Sequence, residues 1–175
     1  YILETRKSNV TKAVHVQAAI GSKDPVQETE WLQEAANRTG FPHGIIAYAN
    51  LADSVVEKTL ERHCEFPNMR GIRDFGEGDY LVSSAFHQGF ALLDKYDLRV
   101  SIGAEWQDMG KLRNLAEKFP NTLIVVDHAG LPQERSSEYF DQWKKGMATV
   151  AQADNVKCKI SGLGMGDQNW TVNSI

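Results

Sequence analysis

Residues 123–130 read LIVVDHAG, an apolar run that ends in an ionisable pair and a glycine. A short run of branched apolar residues is typical of a strand buried on both faces, as in a parallel sheet covered by helices. In parallel α/β folds, the chemistry takes place at the carboxyl ends of the strands. The stretch therefore predicts a parallel sheet and places Asp127 and His128 at the edge where a site would form.

The rest of the chain repeats this pattern of a strand followed by a helix. One such helix is opened by Asp24 and Pro25, with Asp24 as the N-cap, and is ended by Gly40. Alternation of this kind implies parallel βαβ units. Because six strands are two short of a barrel, the residues leave two folds open, a doubly wound sheet and a (β/α)₈ barrel. The six predicted strands cover residues 12–18, 44–49, 69–73, 99–104, 123–127 and 156–160.

Composition narrows the class of protein. The 175 residues are 42% hydrophobic and carry a net charge of −4, so charge gives no reason to expect nucleic acid or an anionic membrane as a partner. No apolar stretch approaches the roughly 20 residues that a membrane-spanning helix needs. Cys64 and Cys158 lie far apart, which favours two reduced thiols in a cytoplasmic protein over a disulfide framework. We expect a single domain over residues 1–175.

Polar side chains recur at or just beyond the predicted strand ends. Each has a simpler structural explanation as a cap, a turn residue or a surface ion pair, but their shared position predicts one converging site. Strand alternation puts His15 and Gln17 on one face of the first strand and Lys157 and Lys159 on one face of the last. We expect these four side chains to face away from the helices, which in a barrel is toward the interior. The candidate site residues are Gln17, Asn50, Arg73, Glu105, His128 and Ser161.

Five stretches, taken in order, resemble the amidohydrolase-2 group of the amidohydrolase superfamily. The resemblance is to its branch of sugar lactonases and pyrone-dicarboxylate lactonase, and it covers nearly the whole chain. No one motif is decisive, but five in register are fairly specific. The stretches are residues 14–18 (VHVQA), 28–33 (ETEWLQ), 69–73 (MRGIR), 125–132 (VVDHAGLP) and 157–163 (KCKISGL).

The resemblance implies a (β/α)₈ barrel of which this chain supplies the second to the seventh strand. Residues 1–175 would then form one partial barrel domain that lacks the first and last strands. The His-x-His pair of the family's first strand and the aspartate of its eighth strand are not in this sequence. The fifth-strand histidine of metal-dependent relatives is also missing from residues 101–105. This last departure favours the lactonase branch over a decarboxylase.

The activity that the resemblance implies is hydrolysis of a sugar-acid lactone or related cyclic ester, a small-molecule substrate. His128 matches the family's sixth-strand histidine and is the predicted catalytic residue, while Arg73 matches an arginine that binds a substrate carboxylate in some relatives. The other predicted substrate-binding residues are Gln17, Glu105 and Ser161.

The resemblance also bears on the cofactor, the oligomeric state and the activity of this chain by itself. The resemblance implies a divalent metal, zinc or manganese, although its usual ligands are absent, and we expect this chain alone to be weakly active or inactive. Formation of a homo-oligomer is compatible with the sequence. Two alternatives remain: a noncatalytic truncated barrel that serves binding or assembly, and a metal-dependent decarboxylase of the same superfamily.

Overall fold

The structure is a computed structural model that describes residues 2–5, 7–18, 23–76, 78–167 and 169–173. Strands and helices alternate from β1 to β6, as predicted, and a short helix, α1, precedes them. The strands are β1 (Val14–Val16), β2 (Gly44–Tyr48), β3 (Met69–Asp74), β4 (Arg99–Ile102), β5 (Ile124–Val126) and β6 (Val156–Cys158). The helices are α1 (Ile2–Thr5), α2 (Val26–Thr39), α3 (Val56–Cys64), α4 (Ser84–Lys95), α5 (Met109–Lys118) and α6 (Ser137–Val150).

The six strands form one parallel sheet in the order β1-β2-β3-β4-β5-β6. In a doubly wound sheet the strand order reverses at a switch point, whereas in a barrel each strand pairs with the next one along the chain. The sequential order therefore resolves the open choice in favour of the barrel type. The prediction of an incomplete (β/α)₈ barrel with six of its eight strands is confirmed.

The sheet has an apolar face and a polar face. Ile45, Ile72, Val100 and Ile124 are completely or almost completely buried and belong to the core under the helices. The opposite face is the barrel interior, and strand registers align one row of residues across it. That row contains Tyr48, Arg73, Ser101, Val125 and Lys157. This row crosses the sheet close to the carboxyl ends of the strands, and the predicted site residues lie at or just beyond it.

Apolar stripes hold the helices on the outer face. In α4, Phe86, Phe90 and Leu93 are fully buried, and in α5 Leu112 is fully buried as well. Phe86 and Phe90 lie 5.8 Å apart between ring centroids, within the range of favourable aromatic packing. Within the described ranges, no helix combines the length and the hydropathy that crossing a membrane requires.

Two details at the start of the chain differ from the sequence prediction. His15 does not face the interior, because its register partner is the core residue Ile45 and its Nε2 lies 3.1 Å from Glu28 Oε1 on α2. Helix α2 begins at Val26 rather than Pro25, although the Asp24 carboxylate still accepts a hydrogen bond from the Val26 N–H. The other end of α2 is confirmed: the cap is a glycine in the left-handed conformation, with φ of 78°.

Candidate active site

A buried carboxylate lies at the carboxyl end of β5. Asp127 has no exposed surface, and its Oδ1 accepts hydrogen bonds of 2.6 Å from Ser101 Oγ and 2.6 Å from Lys159 Nζ. Arg73 Nε lies 2.9 Å from Oδ2. This second contact is an ion pair without hydrogen-bond geometry, since Oδ2 has no hydrogen-bond partner. One carboxylate thus faces two cationic side chains.

Four consecutive strands supply this cluster. Arg73 on β3 and Ser101 on β4 are register partners, so their side chains are neighbours on the interior face. Asp127 follows the last residue of β5 and Lys159 follows the last residue of β6. Because the carboxyl ends of parallel strands meet at one edge, residues distant in the sequence converge there.

Opposing effects act on the pKa of Asp127. Burial raises it, but the hydrogen bonds from Lys159 and Ser101 and the charges of Lys159 and Arg73 lower it by more, so the pKa lies below its usual range. The carboxylate is therefore ionised at neutral pH. With two cations around one anion, the cluster carries one excess positive charge, which suits an anionic or electron-rich ligand.

We predict an acid-dependent loss of stability from this carboxylate. A folded-state pKa below the unfolded value means that Asp127 stabilises the protein fully above about pH 4, the ordinary range of aspartate. The contribution should disappear as the pH falls from there through the lowered pKa. Urea unfolding of the wild type and of Asp127→Asn at several pH values measures it. The difference between the two proteins should shrink below pH 4, and a difference that grows on acidification would contradict the prediction.

His128 lies in an unusual backbone turn directly after Asp127. His128, Ala129, Gly130 and Leu131 all have positive φ, between 50° and 73°, and the Leu131 N–H donates to the His128 carbonyl over 2.9 Å. Strand alternation alone would put His128 on the helix side with Val126. The turn instead brings the imidazole Nδ1 to 3.0 Å from Ser161 Oγ.

The environment of the imidazole leaves one ring nitrogen available. The ring packs directly on Gly162, because a Cβ at that residue would lie 2.8 Å from the Cβ, Cγ and Nδ1 atoms of His128. The Ser161 hydroxyl can donate to Nδ1 or accept from it, so it accommodates either tautomer. Within the described part of the chain, Nε2 has no hydrogen-bond partner. It is therefore the atom that can act on a ligand.

Arg73 is oriented from two sides but keeps donors free. Its Nε pairs with Asp127, and its guanidinium carbon lies 4.6 Å from the centroid of the Phe75 ring. Its two terminal nitrogens have no hydrogen-bond partner among the described residues, and the side chain is 20% exposed. A planar fork held in this way can bind a carboxylate or a pair of hydroxyl oxygens.

A cavity of about 400 Å³ lies at the ends of β2 and β3, and neither Arg73 nor Asp127 or His128 is among the residues that line it. Tyr48, Asn50, Phe75 and Tyr80 are among the residues that line it. The Tyr80 hydroxyl donates to the Gly103 carbonyl over 3.1 Å, and its pKa is raised, first by burial and then by nearby carboxylates. Tyr80 is therefore a neutral hydrogen-bonding group at neutral pH.

The structure brings together some of the predicted site residues and not others. His128 contacts Ser161, and Arg73 contacts the residue before His128, so these three lie at one end of the sheet. Gln17 is not part of this cluster: it shares a strand face with His15, and its buried amide has no partner among the described residues. Glu105 is half-buried and forms no side-chain hydrogen bond or ion pair with the described residues.

Sequence reasoning missed the centre of the cluster. Asp127 was placed beside His128 at the edge of the sheet but not among the candidate site residues, and Lys159 and Ser101 were not predicted there at all, although two signals were available. Alternation puts Asp127 on the interior face, opposite Ile124 and Val126, and an interior lysine needs a partner. No local signal pairs these residues, because they come from three different strands.

The described residues do not by themselves form a metal site. They contain no group of three or more His, Cys, Asp or Glu side chains close enough to hold a metal ion. His128 stands alone as a ligand type beside Asp127, whose oxygens already face Ser101, Lys159 and Arg73.

Comparison with solved structures identifies similar folds. An amidohydrolase from Burkholderia multivorans with bound zinc superposes with a TM-score of 0.81 at 21% identity, over 97% of this chain and 61% of that one. A probable 2-pyrone-4,6-dicarboxylic acid hydrolase from Acinetobacter baumannii, with citric acid bound, gives a TM-score of 0.67 at 15% identity, over 92% and 58%. At these identities the likeness establishes the fold.

Sequence comparison identifies the family. The uncharacterized protein y4mH of Sinorhizobium fredii is 36% identical, over 100% of this chain and 63% of its own length. The L-fucono-1,5-lactonase of Burkholderia ambifaria is 27% identical, over 90% and 54%. The chain thus spans little more than half to just under two thirds of these curated relatives. A model of the amidohydrolase family matches residues 1–174, and the chain belongs to that family.

Proposed function

We propose that the protein hydrolyses the lactone of a sugar acid or a related cyclic ester. The observation that carries the proposal is the excess of positive charge around Asp127, next to an imidazole with one nitrogen free. The 27% identity to an L-fucono-1,5-lactonase supports this choice of substrate class within the family. The hydroxyl groups of such a substrate also suit the acceptor oxygens of Asn50 and Asp79, which line the cavity at the ends of β2 and β3.

The chemistry would be addition of water to the ester carbonyl, followed by opening of the ring. Negative charge develops on the carbonyl oxygen, and fixed donors that face that oxygen lower the barrier. The two terminal nitrogens of Arg73 have no partner in the part of the chain that the structure describes, so their N–H groups are available. Lys159 has three N–H donors, of which two point to Asp127 and, over 3.4 Å, to Ser101. One donor therefore remains for the substrate.

His128 would move the proton. Its Nε2 can accept a proton from the attacking water and return it to the leaving alkoxide, a role that imidazoles fill near neutral pH. For Nε2 to act as the base, Nδ1 must carry the proton of the neutral ring, and Nδ1 then donates to Ser161 Oγ both before and after the transfer. Asp127 does not take part in proton transfer in this scheme. It holds Arg73 and Lys159 in place.

The test is hydrolysis of a panel of sugar-acid lactones by the wild type and two variants. His128→Asn removes the imidazole while retaining a residue type that tolerates positive φ, and it should lower kcat about 10²–10⁴-fold. Arg73→Lys should lower kcat/KM about 10–100-fold through lost charged hydrogen bonds. Matched controls are His15→Asn and Arg113→Lys, which lie outside the site and should retain activity.

Added Zn²⁺ and Mn²⁺ and a decarboxylation assay complete the test, because the family resemblance implies a divalent metal. Loss of lactone hydrolysis in the two site variants but not in the controls supports the proposal. No hydrolysis under any metal condition would instead favour the binding module, and release of CO₂ from carboxylated substrates would favour a decarboxylase.

Both cysteines are unpaired and exposed, which supports a reducing, cytoplasmic setting for the protein.

We also predict that the chain, as it stands, self-associates. An apolar groove of about 750 Å³ runs between α6 and β6, and Ile160 beside it is 85% exposed. At the other edge of the sheet, Val14 is 59% exposed. Exposed apolar surface next to unpaired strand edges favours association. Analytical ultracentrifugation over a concentration series measures it, and a monomer at every concentration would contradict the prediction.

A further inference from the structure

Four consecutive residues after β5 have left-handed backbone angles. The φ values are 51° at His128, 54° at Ala129, 73° at Gly130 and 50° at Leu131. This conformation costs about 1–2 kcal/mol for each residue other than glycine, and three of the four are not glycine. Such strain persists only where the surrounding structure holds it. Something outside the turn must therefore stabilise it.

Both backbone polar groups of Ala129 are held by other elements. Its N–H donates to the Lys159 carbonyl over 2.9 Å, at the end of β6. Its carbonyl accepts a hydrogen bond of 2.8 Å from the indole Nε1 of Trp143, on α6. Ala129 is only 8% exposed, so water does not readily replace either partner. The indole N–H makes the shorter of two side-chain hydrogen bonds to carbonyls of this turn, the other being that of the Tyr139 hydroxyl to Leu131 over 3.4 Å.

The left-handed turn determines the direction of the His128 side chain. A β-strand that continued past Val126 would carry the His128 side chain to the helix side of the sheet. In the left-handed turn the imidazole meets Ser161 Oγ at 3.0 Å and packs on Gly162. The orientation of the imidazole therefore depends on backbone angles that are unfavourable without their external partners.

We propose that Trp143 is a positioning residue for His128. Its indole N–H holds the carbonyl of Ala129, stabilises the left-handed turn, and thereby fixes the imidazole against Ser161. Trp143 acts through the backbone rather than by touching a ligand. The importance of this for catalysis rests on the proposed function, whereas the effect on the turn and on the imidazole does not.

A packing role for Trp143 has to be separated from this role. Its ring is stacked with Phe140 at 5.5 Å and lies beside Gly130, so any truncation would also remove apolar contact. Trp143→Phe retains an aromatic ring and removes the N–H. Trp106→Phe is the matched control, because the buried Nε1 of Trp106 has no hydrogen-bond partner among the described residues.

The experiment measures the turn and the imidazole directly in the 175-residue chain. Hydrogen exchange of the peptide that contains Ala129 and Leu131 reports the turn. Carbethoxylation of His128, with His15 as the internal reference, reports the imidazole. Trp143→Phe should speed exchange about tenfold, the effect of losing one buried hydrogen bond, and should raise the relative modification rate of His128. Trp106→Phe should change neither rate.

A second substitution tests the mechanism. Glycine adopts positive φ at no steric cost, so Ala129→Gly in the Trp143→Phe background should restore both rates to within about threefold of the wild type. A purely packing role for Trp143 would not be rescued in this way. Unchanged exchange in Trp143→Phe, absence of rescue by glycine, or faster exchange without faster His128 modification would each overturn the proposal.

The lactone assay then separates the two proposals. If both hold, Trp143→Phe lowers kcat with little change in KM, and Ala129→Gly recovers it. If the turn loosens and His128 becomes reactive while neither the wild type nor any variant hydrolyses a lactone, the positioning role stands and the proposed function fails. Hydrolysis that is present but unchanged in Trp143→Phe would instead remove His128 from the mechanism.

Discussion

Replacing Asp127 with alanine is expected to lower the free energy of unfolding by about 3 kcal/mol, the lower end of the cost of breaking a buried ion pair, because the side chains of Arg73 and Lys159 are 20% and 33% exposed. The substitution leaves Arg73 and Lys159 facing each other without the anion that they share, in a site where Asp127 itself is fully buried. Uncompensated charges in such a site are far more costly than the pair is stabilising. Urea denaturation followed by circular dichroism measures the loss.

An exposed ion pair provides the matched control. Arg113 Nε and Glu117 Oε1 lie 2.7 Å apart on the surface of α5, and Glu117→Ala should cost less than about 1 kcal/mol. Lys159→Met keeps the Arg73–Asp127 pair and should cost less than Asp127→Ala, which keeps the comparison useful if the latter fails to fold. Equal losses in Asp127→Ala and Glu117→Ala would show that water screens the buried cluster.

Gly89→Ala is expected to destabilise the protein by about 3 kcal/mol, the upper end of what overpacking costs. Gly89 is buried in α4, and a Cβ there would overlap the carbonyl oxygen of Leu51 and lie 2.9 Å from its carbonyl carbon. Leu51 cannot easily withdraw, because its side chain is buried and its N–H donates to Asp74 Oδ2 over 2.7 Å. Thermal unfolding should show a clear decrease in Tm.

The same substitution elsewhere in the chain should have the opposite effect. Gly110 lies in the first turn of α5, and a Cβ there would have no neighbour within 4 Å. Gly110→Ala should therefore stabilise the protein by roughly 0.5–1 kcal/mol, because alanine loses less backbone entropy in a helix. A Gly89→Ala variant as stable as Gly110→Ala would mean that α4 moves freely relative to the loop after β2.

Much of the fold follows from local sequence. The apolar runs and the amphipathic helices between them are short-range properties, and they predict six parallel strands with helical crossovers. The ends of the strands were predicted less accurately. The first strand was predicted over residues 12–18, whereas β1 covers only Val14–Val16. The order of the strands is confirmed as sequential. The choice of barrel came from the resemblance and from this order rather than from periodicity.

The candidate site also has features that local sequence predicts and features that it does not. The position of His128 and Arg73 at strand ends was readable from the apolar runs that precede them. The partners of Asp127 were not, since Arg73 and Lys159 meet only after four strands have paired in register. The direction of His15 was also not predictable locally. Strand alternation shows which residues share its face, but not that this face is the one that meets Glu28 on α2.

The alternation of strands and helices, and the edge of the sheet at which polar groups gather, can be predicted from local sequence, because burial of apolar runs and strand periodicity act over a few neighbouring residues. The contacts among those polar groups depend instead on long-range pairing of the strands. The ion pairs of Asp127 require the register of four strands, and the orientation of His128 requires a left-handed turn held by Trp143 and Lys159. Local propensity disfavours that turn, so contacts from distant parts of the chain must supply the energy that sustains it.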